Sequence, residues 1–267
     1  MLEESIYDIS SLKPIGFGGT KTVYKIDDDW VVFGPNKIDG EGLVQQWPRI
    51  TDDEYRMSKL LKTVGVPALE LNTCQIKLKD GRTMVSNSSK SFFSYTKNGI
   101  YIIDHKDPPS SQWPCDGNMS LIEGDDKMDF GIWTDILEPV VNDILKLADS
   151  CYWFGMDAFN LAFVSKESNL HSGCKYPFEV RMFMFDFTSK HHPYNFQNRD
   201  KVSFSEKYYV FKNLVEAAVW QELAPGTVCL NNEQEKFVNK LSSHFQDRFK
   251  NSPDDVYEPP IPGCTIQ

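Results

Sequence analysis

Residues 15–26 read Ile-Gly-Phe-Gly-Gly-Thr-Lys-Thr-Val-Tyr-Lys-Ile, and this glycine-rich segment indicates the fold more strongly than any other part of the chain. Gly16, Gly18 and Gly19 would let a backbone hairpin lie close over a polyphosphate, where a Cβ would collide. The β-branched Val23 suits a strand that covers a flat base. A plain glycine-rich turn would have the same composition, so the segment predicts either a phosphate-covering hairpin or an ordinary β-turn.

Outward from this segment, the first hundred residues alternate short apolar runs with a single helix. A helix is predicted over 51–64, with Thr51 as its N-cap and Glu54 as the capping-box partner. Asn98-Gly99 predicts a hairpin between the last two strands. Strands are predicted over residues 13–26, 30–33, 71–78, 82–86, 91–95 and 100–103.

The remainder of the chain is predicted to be mainly helical. Residues 104–129 are rich in proline and loop-like, and a lobe boundary is placed there, between residues 105 and 106. Helices are predicted over 133–151, 205–223 and 232–250, and two apolar strands over 161–164 and 180–187. The sequence therefore predicts an α+β protein with a β-rich N-lobe that carries one helix (1–105) and a mainly helical C-lobe with a β-hairpin (106–267).

Composition excludes several classes of partner. The net charge of −10 over 267 residues argues against nucleic acid. We expect no membrane span, because no apolar run approaches the roughly 18 residues that one needs. The first residues lack the pattern of a signal peptide, and the six cysteines are scattered without a CxxC pair. Reduced thiols and a cytoplasmic location are expected.

The glycine-rich segment resembles the glycine-rich loop of protein kinases, and residues 21–25 are especially similar to the with-no-lysine kinases. Ordinary kinases hold the ATP phosphates with a lysine on the third strand, but residues 30–33 contain none. The with-no-lysine kinases supply this charge from the position that matches Lys21, and Lys37 is the alternative here. The resemblance implies that the nucleotide is bound by Gly16, Phe17, Gly18, Gly19 and Lys21 or Lys37.

The helix that follows resembles the kinase αC helix. Glu54 matches the glutamate that pairs with the lysine and directs its ammonium toward the phosphates. A solvated glutamate that stabilises the first turn of a helix is the alternative.

Two later segments resemble the metal-binding motifs of kinases. Asn160 precedes an apolar strand, as the asparagine of the HRDxxxxN motif does, and Asp186 ends an apolar strand, as the aspartate of the DFG motif does. The resemblance implies that both residues bind Mg²⁺ or Mn²⁺, which prefer oxygen ligands. Thr188 replaces the glycine of DFG.

The catalytic loop departs from the family pattern. Residue 155, where the catalytic aspartate would stand, is glycine, and no His-Arg pair precedes it. Asp157, three residues before Asn160, is the expected base, an arrangement similar to the divergent selenoprotein-O-like kinase relatives. A loop-capping aspartate is the alternative.

Together these motifs imply a two-lobed, protein-kinase-like fold that uses ATP and Mg²⁺ (or Mn²⁺) to phosphorylate a protein, lipid or small-molecule hydroxyl. Two alternatives stay open, namely nucleotidyl transfer by the same fold and a pseudokinase that only binds. The compact, divergent sequence resembles bacterial effectors that are delivered into host cells. This resemblance implies that the cytoplasm in question is either that of the producing cell or that of a host into which bacteria secrete the protein.

Overall fold

Nine strands and five α-helices form in the part of the chain that the computed structural model describes, so the protein is α+β as predicted. The described residues are 5–18, 20–36, 41–103, 121–122, 124–150, 153, 159–187, 202–224, 227 and 229–250, with only the backbone of 41–43 and 125. The strands are β1 (Ile6–Asp8), β2 (Lys13–Phe17), β3 (Lys21–Lys25), β4 (Trp30–Pro35), β5 (Leu71–Lys77), β6 (Thr83–Lys90), β7 (Ile100–Ile103), β8 (Leu161–Ser165) and β9 (Phe178–Met182). The helices are α1 (Glu41–Val64), α2 (Phe92–Lys97), α3 (Phe130–Asp149), α4 (Phe204–Leu223) and α5 (Asn232–Lys250).

A six-stranded sheet has the order β1-β5-β6-β4-β3-β2. Neighbouring strands are antiparallel except β1 and β5, which are parallel. Side chains alternate between two cores, so that Val31 and Phe33 belong to the main core while Val32 belongs to a smaller one on the other face. Strand β1 was not predicted, because it has only three residues.

The predicted start of α1 is wrong, and the helix begins at Glu41, ten residues before Thr51. The hydroxyl of Thr51 donates to the carbonyl oxygens of Trp47 (3.1 Å) and Pro48 (3.0 Å) within the helix. The Thr51 side chain therefore bonds back to the preceding turn of the helix and does not cap the helix N-terminus. Glu54 consequently lies in the helix interior and not in a capping box. The helix ends at Val64 as predicted, and Gly65 follows it with a φ of 80° that suits glycine.

The predicted strand over 91–95 is also wrong, because helix α2 occupies this place. The Ser91 side chain caps the helix by accepting from the Ser94 N–H. Asn98 is the C-cap, and Gly99 follows with a φ of 75°. The Asn98-Gly99 pair therefore ends a helix and does not form the predicted hairpin.

A second sheet of three antiparallel strands has the order β7-β8-β9, and α3 packs on it. β9 ends at Met182, earlier than the predicted 187, and beyond it only a parallel bridge joins Ala68 to Met184. Helix α5 has the predicted bounds. The predicted lobe boundary, between residues 105 and 106, lies outside the described residues. None of the described helices is long and apolar enough to cross a bilayer.

Candidate functional site

An ion pair between β3 and α1 lies at the centre of the candidate site. The Nζ of Lys21 is 2.8 Å from the Oε1 of Glu54. The Glu54 side chain is 1% exposed and that of Lys21 15%. Burial by itself lowers the pKa of Lys21, but the charges of Glu54 and Asp186 and the hydrogen bond to Glu54 raise it above its ordinary value. The negative charges of Glu54 and Asp186 therefore both favour the charged form of Lys21, and the lysine stays charged.

The lysine comes from β3, because β4 contains no lysine. Gly34 faces the smaller core, where an added Cβ would lie 3.0 Å from side-chain atoms of Ile9 and Tyr24. Phe33 faces α1 instead, and the Lys21 ammonium lies 5.3 Å from the centre of its ring. A position on the neighbouring strand therefore delivers the ammonium to the same face of the sheet.

The hairpin between β2 and β3 is closed by a residue that the sequence did not single out. The Gly18 N–H donates to the Lys21 carbonyl (2.8 Å), and the Asn36 side chain donates to the Gly18 carbonyl (2.7 Å). The Asn36 N–H donates to the carbonyl of Thr20 (3.0 Å). Asn36 directly follows β4, and the sequence carries no further signal of its role.

Gly16 and Gly18 of this hairpin are not required by the packing of the described residues. An added Cβ would come no closer than 3.7 Å to other atoms at Gly16 and 3.6 Å at Gly18, which is ordinary contact. Neither residue is among those with positive φ. Phe17 between them is 73% exposed. Gly19 and Lys37 lie outside the described residues, so the choice between Lys21 and Lys37 as the phosphate ligand stays open.

The segment that leads to Asp186 is held from several sides. The Phe183 N–H donates to the Asn160 carbonyl (2.9 Å), and Met184 exchanges backbone hydrogen bonds with Pro67 (3.0 Å) and Leu69 (2.8 Å). Phe185 packs edge-on against Phe92 of α2, with 5.2 Å between ring centres. Asp186 itself is half-buried.

The predicted metal ligands are one amide and one carboxylate, whose oxygen atoms suit Mg²⁺ or Mn²⁺. Among the described residues, no group of three or more His, Cys, Asp or Glu side chains could hold a metal. Asn160 is buried, and its backbone carbonyl accepts a hydrogen bond from the N–H of Phe183, which is three residues before Asp186. One amide and one carboxylate suit Mg²⁺, which keeps several waters and shares substrate phosphates. Asp157 and Thr188 lie outside the described residues.

A buried ion-pair network beside this site was also missed. Arg181 of β9 donates through Nε and Nη2 to the two carboxylate oxygens of Asp143 on α3, at 2.7 and 2.8 Å. Its Nη1 donates to the Leu170 carbonyl (2.7 Å) and to Glu179 (3.5 Å). The Asp143 carboxylate also accepts from the Met182 N–H (3.2 Å). The network fixes β9 against α3, and the end of β9 at Met182 lies four residues before Asp186.

Glu222 of α4 is another buried carboxylate outside the candidate site. It accepts hydrogen bonds from the backbone of Leu121 and Ile122, and its Oε2 has no partner among the described residues. Burial raises its pKa to about 7, against the smaller opposing effects of these hydrogen bonds and of Lys127. The protonated form therefore stabilises the fold. This stability is fully present below the unfolded pKa of about 4.3 and is lost as the pH rises toward 7.

We expect the free energy of unfolding to fall by about 2 to 3 kcal/mol between pH 5 and 7.5, since each pKa unit corresponds to about 1.4 kcal/mol. Glu222→Gln should flatten this decline, because glutamine does not ionise. Urea unfolding at several pH values measures it, with the exposed Glu233→Gln as control. An unchanged slope in Glu222→Gln would exclude Glu222 as its source.

No family model matches the sequence, and no curated protein is significantly similar to it. Function is therefore inferred from the arrangement of the residues. The structure brings Lys21, Glu54 and Asp186 into electrostatic contact and bonds the Asn160 backbone to the segment that carries Asp186.

Proposed function

We propose that the chain is an ATP- and magnesium-dependent phosphotransferase, an atypical kinase with a two-lobed arrangement, that acts on a hydroxyl of a protein, lipid or small molecule. The observation that carries the proposal is the buried Lys21–Glu54 ion pair with Asp186 close enough to raise the pKa of Lys21. A buried cation between two carboxylates leaves net negative charge, which suits a site that also takes Mg²⁺.

The glycine hairpin gives independent support. Neither the packing of the described residues nor the φ of Gly16 and Gly18 requires glycine, which leaves the hairpin backbone free of side chains at both positions. A polyphosphate lying against the hairpin backbone is the ligand that glycines admit. The exposed Phe17 between them then covers the ligand, and Lys21 at the end of the same hairpin binds its phosphates.

In this proposal each residue has one role. Glu54 orients Lys21, Asn160 and Asp186 hold Mg²⁺, and Asp157 accepts the proton of the substrate hydroxyl. The bond between the γ-phosphorus and its bridging oxygen breaks as the hydroxyl oxygen bonds to that phosphorus, and ADP leaves. When bound, the metal would neutralise charge on the phosphates, so positioning and electrostatics would supply most of the rate. A cytoplasmic site of action, in the producing cell or in a host cell, belongs to the same proposal.

Calorimetry of ATP binding with and without Mg²⁺ tests the proposal. We expect Mg²⁺ to increase the affinity of the wild-type protein for ATP. In Asp186→Asn this Mg²⁺-dependent increase should be at least tenfold smaller, because the amide is a poorer ligand than the carboxylate. Asp247→Asn, an exposed carboxylate on α5, is the matched control. Absence of ATP binding by the wild-type protein would refute the proposal.

Mass spectrometry of the incubated protein then separates the reactions. A gain of one phosphate group supports phosphoryl transfer, whereas a gain of one AMP supports the nucleotidyl-transfer alternative. Magnesium-dependent binding without any transfer, to the protein or to added hydroxyl substrates, supports the pseudokinase.

A further inference from the structure

A short backbone segment, residues 67–71, joins the helix that carries Glu54 to the segment that carries Asp186; we call it the junction. It runs from just after α1 into the first residue of β5. Its backbone is hydrogen-bonded from several sides. Met184 bonds Pro67 and Leu69, and the Tyr95 hydroxyl of α2 accepts from the Glu70 N–H at 3.1 Å. From α1, Ser58 bonds Leu69 and Leu71, and the Lys59 ammonium donates to the Leu71 carbonyl at 3.4 Å.

The buried hydroxyl of Ser58 makes two hydrogen bonds from α1 to the junction. Its Oγ donates to the Leu69 carbonyl at 2.7 Å and accepts from the Leu71 N–H at 3.2 Å. The residue is 3% exposed. A single hydroxyl therefore satisfies two buried backbone groups, and its loss would leave both without a partner.

The position of Ser58 on the helix gives these bonds a wider meaning. Ser58 lies four residues after Glu54, so both side chains are on the same face of α1. Leu69, which accepts from Ser58 through its carbonyl, donates through its N–H to the Met184 carbonyl at 2.8 Å. An unbroken series of hydrogen bonds and two short stretches of chain thus leads from Glu54 to Asp186.

We propose that Ser58 is a positioning residue that couples the Lys21–Glu54 ion pair to Asp186 through the junction. Its meaning for catalysis rests on the proposed function, but the mechanical coupling does not. A shift of α1 moves Leu69 with it, and the paired Met184 follows. A change at Asp186 is transmitted to Glu54 by the same bonds in reverse.

Hydrogen exchange of the protein without nucleotide, measured residue by residue by NMR, tests the coupling. In Ser58→Ala we expect the amides of Leu69 and Met184 to exchange at least tenfold faster, while those of β8 keep their wild-type rates. Thr51→Val removes a buried hydroxyl from the same helix that bonds only within α1, and it should leave Met184 unchanged. Ser58→Thr, which keeps the hydroxyl, should restore slow exchange.

Unchanged Met184 exchange in Ser58→Ala would overturn the inference, and so would faster exchange spread evenly over β8 and the junction, which means general loosening. These outcomes are read without ATP, so they are independent of whether the proposed function holds.

ATP binding provides the second readout. In the wild-type background, Glu54→Gln and Asp186→Asn should weaken magnesium-dependent binding non-additively, and in Ser58→Ala the non-additive part should become smaller, with the part that Lys21 carries directly retained. A merely structural role for Ser58 would lower stability without changing additivity. If the wild-type protein binds no ATP, the proposed function fails and the exchange rates alone decide on the coupling.

Discussion

Lys21→Met is expected to lower kcat/KM for ATP by about a hundredfold to a thousandfold, the loss seen when one preorganised charge-stabilising group is removed. Methionine has similar length and fills the space beside Phe33, so the hairpin keeps its packing. The ammonium that would bind phosphate is gone, however, and the buried Glu54 loses the cation 2.8 Å away. The variant is therefore expected to lose stability as well as activity.

A double variant separates these two losses. Lys21→Met combined with Glu54→Gln removes the buried charge together with its partner, and should recover stability without recovering activity. Lys25→Met is the matched control, since Lys25 lies on the same strand but pairs with Asp28 in solvent. Steady-state kinetics and urea unfolding measure both effects. Full activity in Lys21→Met, together with its loss in Lys37→Met, would assign the phosphate contact to Lys37.

The ion pair also has a defined pH dependence. Burial opposes the charge of Lys21, but Glu54 and Asp186 outweigh it and raise the pKa. The stability that the pair contributes is therefore fully present below the unfolded lysine pKa of about 10.4, and is lost as the pH rises through the higher folded value.

Arg181→Met is expected to destabilise the fold by about 3 to 5 kcal/mol, the cost of leaving a buried charge without its partner. Asp143 is 1% exposed and would lose both hydrogen bonds from the guanidinium. Glu179, which is fully buried, would lose its nearby cation but keep its hydrogen bonds from Ser172. Urea unfolding at pH 7 measures the difference.

Removing both partners should cost much less. The double variant Asp143→Leu with Arg181→Met removes the charge of Asp143 together with its partner, while Glu179 keeps its hydrogen bonds from Ser172. We expect this variant to lie within about 2 kcal/mol of the wild-type protein. Lys175→Met is the control, because its pair with Asp135 is exposed and should contribute under about 1 kcal/mol. Equal destabilisation in the single and double Arg181 variants would show that packing, and not the buried charge, sets the cost.

The sequence predicted the elements whose signals are local. Helix α5 has the predicted bounds, and the long amphipathic helix α3 was placed within three residues of its start. Lys21 and Glu54 were found through the order of motifs along the chain, although only the structure shows that their side chains meet.

What the sequence did not predict depends on long-range contacts. Thr51 is a residue type typical of an N-cap, but its hydroxyl bonds the Trp47 carbonyl within a helix that began ten residues earlier. Residues 91–95 have strand-like composition, but the capping bond of Ser91 begins a helix there. Asp143 and Arg181 are 38 residues apart, and Ser58 and Leu71 are 13 apart, so no local pattern connects them.

The location of Lys21 on the glycine hairpin links access to charge. Lys21 begins the second strand of that hairpin, and β2, its first strand, pairs only with β3 among the described strands. Lys21 is also held on the other side, because β3 pairs with β4 from Lys21 opposite Pro35 to Lys25 opposite Val31. The backbone that would cover a ligand and the ammonium that would bind its phosphates therefore lie on one hairpin, so any displacement of β3 would change both together.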